Sequence, residues 1–157
     1  MRWLSLQIIF VFLFPGICFS GIITVCGASK GYSYFFKNPI TDAEVGWAED
    51  GISEGQIILA LEGNGKELNL YYKDTLTMRS PKEEGGRVHL LYTDQEGNTF
   101  LILVEYPGNG LVEHYLFKLD GSGKGKVAWG TVRDSVKGVE LAPKSSLFVA
   151  NCSKSNQ

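Results

Sequence analysis

Past an apolar start, the chain alternates short hydrophobic stretches with clusters of turn residues. Segments 33–36, 56–62, 67–73, 87–93, 99–106, 111–119, 126–133 and 146–151 read as strands, with weaker candidates at 75–79 and 137–141. Gly63-Asn64-Gly65, Glu84-Gly85-Gly86, Glu96-Gly97-Asn98, Pro107-Gly108-Asn109-Gly110 and Gly121-Ser122-Gly123 separate them. Such clusters supply the positive φ that tight hairpins need. Short connections between consecutive strands favour antiparallel neighbours. The expected fold is therefore all-β: an antiparallel up-and-down meander of about eight or nine strands, closed as a calycin-like barrel, with a β-sandwich as the alternative. Helix signal is confined to 38–44, where Thr41 and Glu44 stand at capping-box spacing and Gly46 limits the helix to a turn or two.

The hairpin 99–119 carries the most information. Its four-residue connection puts Phe100, Ile102, Val104, Tyr106, Leu111, Glu113, Tyr115, Phe117 and Leu119 on one face. Thr99, Leu101, Leu103, Glu105, Val112, His114, Leu116 and Lys118 fall on the other. The first face is the more aromatic and is expected to be the core. The second is still half apolar, which fits an outer side that is partly covered.

Residues 1–20 read as a secretory signal peptide, leaving 21–157 as a single β domain. Arg2 precedes an apolar run from Leu4 to Phe14, Pro15-Gly16 breaks it, and Cys18-Phe19-Ser20 offers a small-residue cleavage site. The rival is an uncleaved anchor, since apolar character resumes at Gly21-Ile22-Ile23. A span needs about 20 apolar residues, and Pro15-Gly16 interrupts this one. After cleavage no stable membrane span is expected. Two cysteines then remain, Cys26 and Cys152, near opposite ends of the chain. In an exported protein such a pair reads as a disulfide, which makes the first and last strands neighbours. Two buried free thiols are the alternative.

Composition narrows the function classes. Lys plus Arg number 15 and Asp plus Glu 17, a formal charge of -2, so no bulk positive field steers a polyanion. The aromatic residues are not set in a basic groove, so nucleic acid is not an expected partner. The Asp94–Asn98 cluster imitates a calcium loop, but Thr99 stands where that loop needs glycine. Gly121 to Lys126 lacks the order of a Walker loop. His114 with Glu105 is half of a nucleophilic triad, and no Gly-x-Ser-x-Gly elbow completes it. A solvated cross-strand pair is the simpler reading. Glu105 and Glu113 fall on opposite faces and cannot flank one bond. No metal site, cofactor or catalytic residue is expected, and the protein is read as not an enzyme.

Glu113 is the anomaly of the inner face. A carboxylate beside Tyr106, Tyr115 and Phe117 is costly unless hydrogen-bonded or paired. It is either the polar anchor of an apolar pocket or a rim residue that reaches solvent. The candidate ligand-binding residues are Tyr72, Tyr106, Glu113, Tyr115 and Trp129. Trp47 is expected to plug the core.

Cys26-Gly27-Ala28-Ser29-Lys30-Gly31-Tyr32, Gly46-Trp47-Ala48-Glu49-Asp50-Gly51-Ile52-Ser53 and Leu68-Asn69-Leu70-Tyr71-Tyr72 form an ordered pattern. With Glu113-His114-Tyr115-Leu116-Phe117 and Cys152, it resembles a group of small secreted bacterial proteins of unknown function. The resemblance implies a secreted or periplasmic location and supplies no activity or ligand. The expected function is binding of a small apolar ligand or an envelope protein partner. The alternative is a periplasmic enzyme inhibitor or envelope accessory protein acting through the polar loop 80–86.

Overall fold

The computed structural model describes residues 21–37, 44–134 and 143–154. The signal peptide expected at 1–20, most of the short helix expected at 38–44 and the weak strand expected at 137–141 lie outside the described residues. Ten strands form one sheet: β1 (Gly21–Phe35), β2 (Gly46–Ile52), β3 (Gln56–Glu62), β4 (Glu67–Lys73), β5 (Met78–Arg79), β6 (Arg87–Thr93), β7 (Thr99–Tyr106), β8 (Leu111–Leu119), β9 (Gly125–Arg133) and β10 (Lys144–Ser153). No helix occurs among the described residues. A single continuous sheet, rather than two stacked ones, makes the fold barrel-like.

The order across the sheet is β5-β4-β3-β1-β10-β9-β8-β7-β6. Read as a ring, this is the chain order of a meander, closed between first and last strands and open between β5 and β6. The closure carries the Cys26–Cys152 disulfide, whose residues are directly opposed across β1 and β10. Parity explains the opening. Every neighbour pair in the order is antiparallel. An odd number of places leaves the terminal strands β5 and β6 pointing the same way, so they cannot form a hairpin. The 80–86 loop covers the seam. Ser80 and Pro81 are buried, and Gly86 N–H donates to Pro81 O at 2.7 Å.

Long β1 has two partners on its other edge. Its first half pairs with β3 and its second half with β2. The chain shifts between them at Ser53-Glu54-Gly55, where Gly55 has φ +146°. At Gly31 the backbones of β1 and β10 approach so closely that a Cβ would meet Phe148 Cα at 2.8 Å.

Period-2 alternation fills the interior with Leu59, Leu70, Ile102, Val104, Tyr115, Phe117 and Val127, all 0% exposed. Each such side chain contributes about 1.5–3 kcal/mol on burial. The expected inner face of the 99–119 hairpin is the observed one. The outer face is more open than expected, since Val112 and Leu116 are exposed. Trp47 corrects another expectation: it is 69% exposed and packs edge-on against Tyr34. Residues 46–52 are themselves a strand. Asp50 opposes Gly31 and is half-buried, and alternation turns Trp47 to the other face of the strand.

Candidate functional site

The inner faces of β4, β8 and β9 converge near one end of the barrel. Inward alternation presents Tyr72 from β4, Glu113 and Tyr115 from β8, and Trp129 from β9. The curl of the sheet brings β4 to β8 although four strands separate them in the order. Tyr72 Oη donates to Glu113 Oε2 at 2.6 Å, and Tyr115 Oη donates to the same oxygen at 2.9 Å. The two hydroxyl oxygens lie 2.8 Å apart. Tyr115 stacks on Trp129 with centroids 5.8 Å apart, and Trp129 meets Phe148 at 4.6 Å. An aromatic row thus crosses from β4 to β10 beside one carboxylate.

Two cavities open over this row. One, of about 230 Å³, is lined by Gly27, Ile52, Tyr72, Glu113, Tyr115 and Trp129 among others. The second, of about 520 Å³, shares Ile52, Glu113 and Trp129 with it and extends to Asp50, Arg133 and Lys144. The rim of the first carries Lys73 and Arg79 against Glu54 and Asp74. Below the row, Phe117, Ile102 and Leu59 leave no exposed surface. The opening is a mouth, not a through-channel.

Burial pushes the Glu113 carboxyl above the ordinary glutamate value, against the downward pull of the two tyrosine hydrogen bonds, while the Glu84 charge adds to the rise. Burial also raises the Tyr72 and Tyr115 hydroxyls, helped by the charges around them. Glu113 has no ion-pair partner among the described residues. Both of its hydrogen bonds among the described residues fall on Oε2, and the residue lines both cavities. Trp129 Nε1 is the one buried side-chain polar atom without a partner among the described residues. An unsatisfied buried donor costs about 1–3 kcal/mol.

Four of the five sequence-predicted residues therefore line the first cavity together: Tyr72, Glu113, Tyr115 and Trp129. The two readings of Glu113 merge, since it is half-buried at the mouth and hydrogen-bonded. Tyr106 shares the inner face but not the cavity lining, and packs beside Gly86 under the seam loop. Its hydroxyl is pushed up to about 12 by burial and by Glu113.

A polar group that sequence reasoning missed lies next to the second cavity. Asp50 on β2 is ion-paired with Lys144 on β10. Ser33, on β1 between them, bonds Asp50 Oδ2 at 2.6 Å and Ser146 Oγ at 2.6 Å. Burial opposes ionisation of Asp50, but hydrogen bonds from Lys144, Ser33 and the Gly51 amide outweigh it and hold its pKa below the ordinary aspartate value. Inward alternation of 46–52 would have signalled Asp50 had the segment been read as a strand.

The remaining polar motifs are structural. Glu105 contacts His89 at 3.2 Å and Arg87 at 3.5 Å on β6, so its partners are not His114 as expected. Position decides this: Glu105 opposes Val112 on β8 and Arg87 on β6. Asp94 Oδ1 accepts the Asn98 amide and Asp120 Oδ1 the Ser122 amide, each inside its hairpin turn. Among the described residues no three His, Cys, Asp or Glu side chains are grouped to hold a metal. No helix among them is long and apolar enough to cross a membrane, which leaves spanning by strands untouched. No family model, curated protein or solved structure matches this chain.

Proposed function

We propose that this chain is an exported, non-enzymatic binding protein that holds a small molecule in the mouth of its half-open barrel, apolar body against the aromatic row and polar head toward Glu113. One observation carries the reading. The side chains below Tyr115 are fully buried, yet at the mouth a hydrogen-bonded carboxylate stands in an aromatic-lined cavity. Concave, mostly apolar sites with few convergent polar groups are where small ligands bind. Its neighbour, sharing Ile52, Glu113 and Trp129, widens the space beyond the smaller cavity alone.

Export has separate support. The apolar leader of 1–20 and the disulfide between chain ends fit a secreted or periplasmic protein. The inhibitor or envelope-accessory reading has less behind it. In the 80–86 loop, Ser80 N–H donates to Glu83, Glu84 pairs with Arg79, and Lys82 reaches Glu67, so its polar groups are engaged within the fold.

The test is titration with the neutral apolar fluorophore N-phenyl-1-naphthylamine. Gly27 lines the mouth, and a Cβ there meets nothing within 4 Å, so Gly27→Leu is chosen to add apolar bulk at the cavity wall. Wild type is expected to bind one equivalent and Gly27→Leu to bind about tenfold more weakly or worse. Equal binding by the two, or none by either, overturns the proposal.

A further inference from the structure

The strands place two carboxylates on the inner face, and they are treated differently. Asp50 has Lys144, Ser33 and the Gly51 amide. Glu113 has two tyrosine hydroxyls on one oxygen and no cation. Resting on the mouth-binding reading above, we propose that the head group recognised at Glu113 is a protonated amine carried on an apolar body.

Several features of the mouth converge on a cationic head. Glu113 lines both cavities, its Oε1 takes no hydrogen bond from a described residue, and an ionised carboxylate can only accept from a donor or pair with a cation. A desolvated carboxylate gains far more from an ammonium than from a neutral hydroxyl, because the ion pair offsets its burial. The cavity wall is built from Tyr72, Tyr115 and Trp129, which stack on one another and offer a ligand apolar surface for its body. No described cation is ion-paired with Glu113: Arg79 is paired with Glu84 at 2.9 Å and Lys144 with Asp50. An anionic head would reach the rim Lys73 and Arg79 but would stand against Glu113.

The groups facing Glu113 set the pH behaviour. They are Tyr72 from β4, Tyr115 from β8 and Glu84 from the seam loop. Tyr106 from β7 feels the Glu113 charge, Arg79 from β5 shares the first cavity, and Arg133 and Lys144 share the second. The tyrosines remain protonated through the neutral range, so the step that matters is ionisation of Glu113. Amine binding favours the ionised form and weakens as pH falls through the Glu113 pKa.

The probes are n-octylammonium, 1-octanol and octanoate, which share one chain and differ in head. Each is titrated at neutral pH into the disulfide-bonded protein, following the Trp129 indole N–H resonance. Octylammonium is expected to bind about tenfold more tightly than octanol, with octanoate weakest. Glu113→Gln keeps an acceptor for the tyrosines and should bring octylammonium to within about twofold of octanol in the same variant. Octanol binding as tightly as octylammonium, or octanoate binding best, overturns the amine assignment and leaves the mouth reading standing. If no probe shifts Trp129, the mouth reading fails and the amine assignment with it.

Discussion

Tyr72 and Glu113 are 41 residues apart and meet at 2.6 Å across the inside of the barrel. Neither β4 nor β8 neighbours the other in the sheet, so this bond reports the curl directly. Tyr72→Phe removes the hydroxyl and leaves Glu113 with Tyr115 alone. The expected cost is about 1–2 kcal/mol. Loss of a bond that favours the charged carboxylate should also raise the Glu113 pKa further. Chemical denaturation reads the first effect and a carboxyl carbon titration by NMR the second. An unchanged Glu113 titration would refute the bond.

The raised pKa of Glu113 has a definite sign for stability. The folded state holds the proton more tightly than the unfolded chain. Stability linked to this group is therefore fully present below the ordinary glutamate pKa and is lost as pH rises through the folded value. Glu113→Gln has no such loss. Its stability relative to wild type should increase across that window and level off above it. A difference that stays flat with pH would show that the folded pKa of Glu113 is not raised.

The disulfide closes a loop of 126 residues in sequence separation. Cys26→Ser combined with Cys152→Ser should lower stability by about 4–5 kcal/mol in the chain-entropy model. Amide exchange should accelerate most where β1 meets β10. A loss under about 1 kcal/mol would mean that the β1–β10 pairing alone closes the ring.

Lys144→Met leaves Asp50 without its cation, with the Asp50 side chain 25% exposed. The expected cost is about 1–3 kcal/mol, reduced from the fully buried case by that exposure. Because the Asp50 pKa is depressed, its contribution is present above the ordinary aspartate pKa and lost as pH falls through the folded value. The gap between wild type and variant should therefore narrow in acid. Exchange should rise in β2, which Asp50 ties across β1 to β10. An equal gap at all pH values would place the cost in packing of the Lys144 stem instead.

Most of the strands were legible because alternation and turn residues coincide from β3 onward. Glu113 stood out for the same reason, as one charge in an aromatic alternation. β1 was read as only 33–36, because Gly27-Ala28-Ser29-Lys30-Gly31 lacks the β-branched residues that mark a strand. β2 was missed because Glu49-Asp50-Gly51 reads as a turn, and that error also placed Trp47 inside and hid Asp50. The seam is a property of strand count and direction, which no local segment encodes. Ile52 and Gly27 join the mouth only because β1 and the β2–β3 shift pass over it.

The most direct measurement is native mass spectrometry of the protein purified without denaturation from its native source, wild type beside Gly27→Leu. Wild type should carry a small-molecule adduct, absent after denaturation, and the filled variant should be bare. A bare wild type, or the same adduct on both, would contradict binding at the mouth.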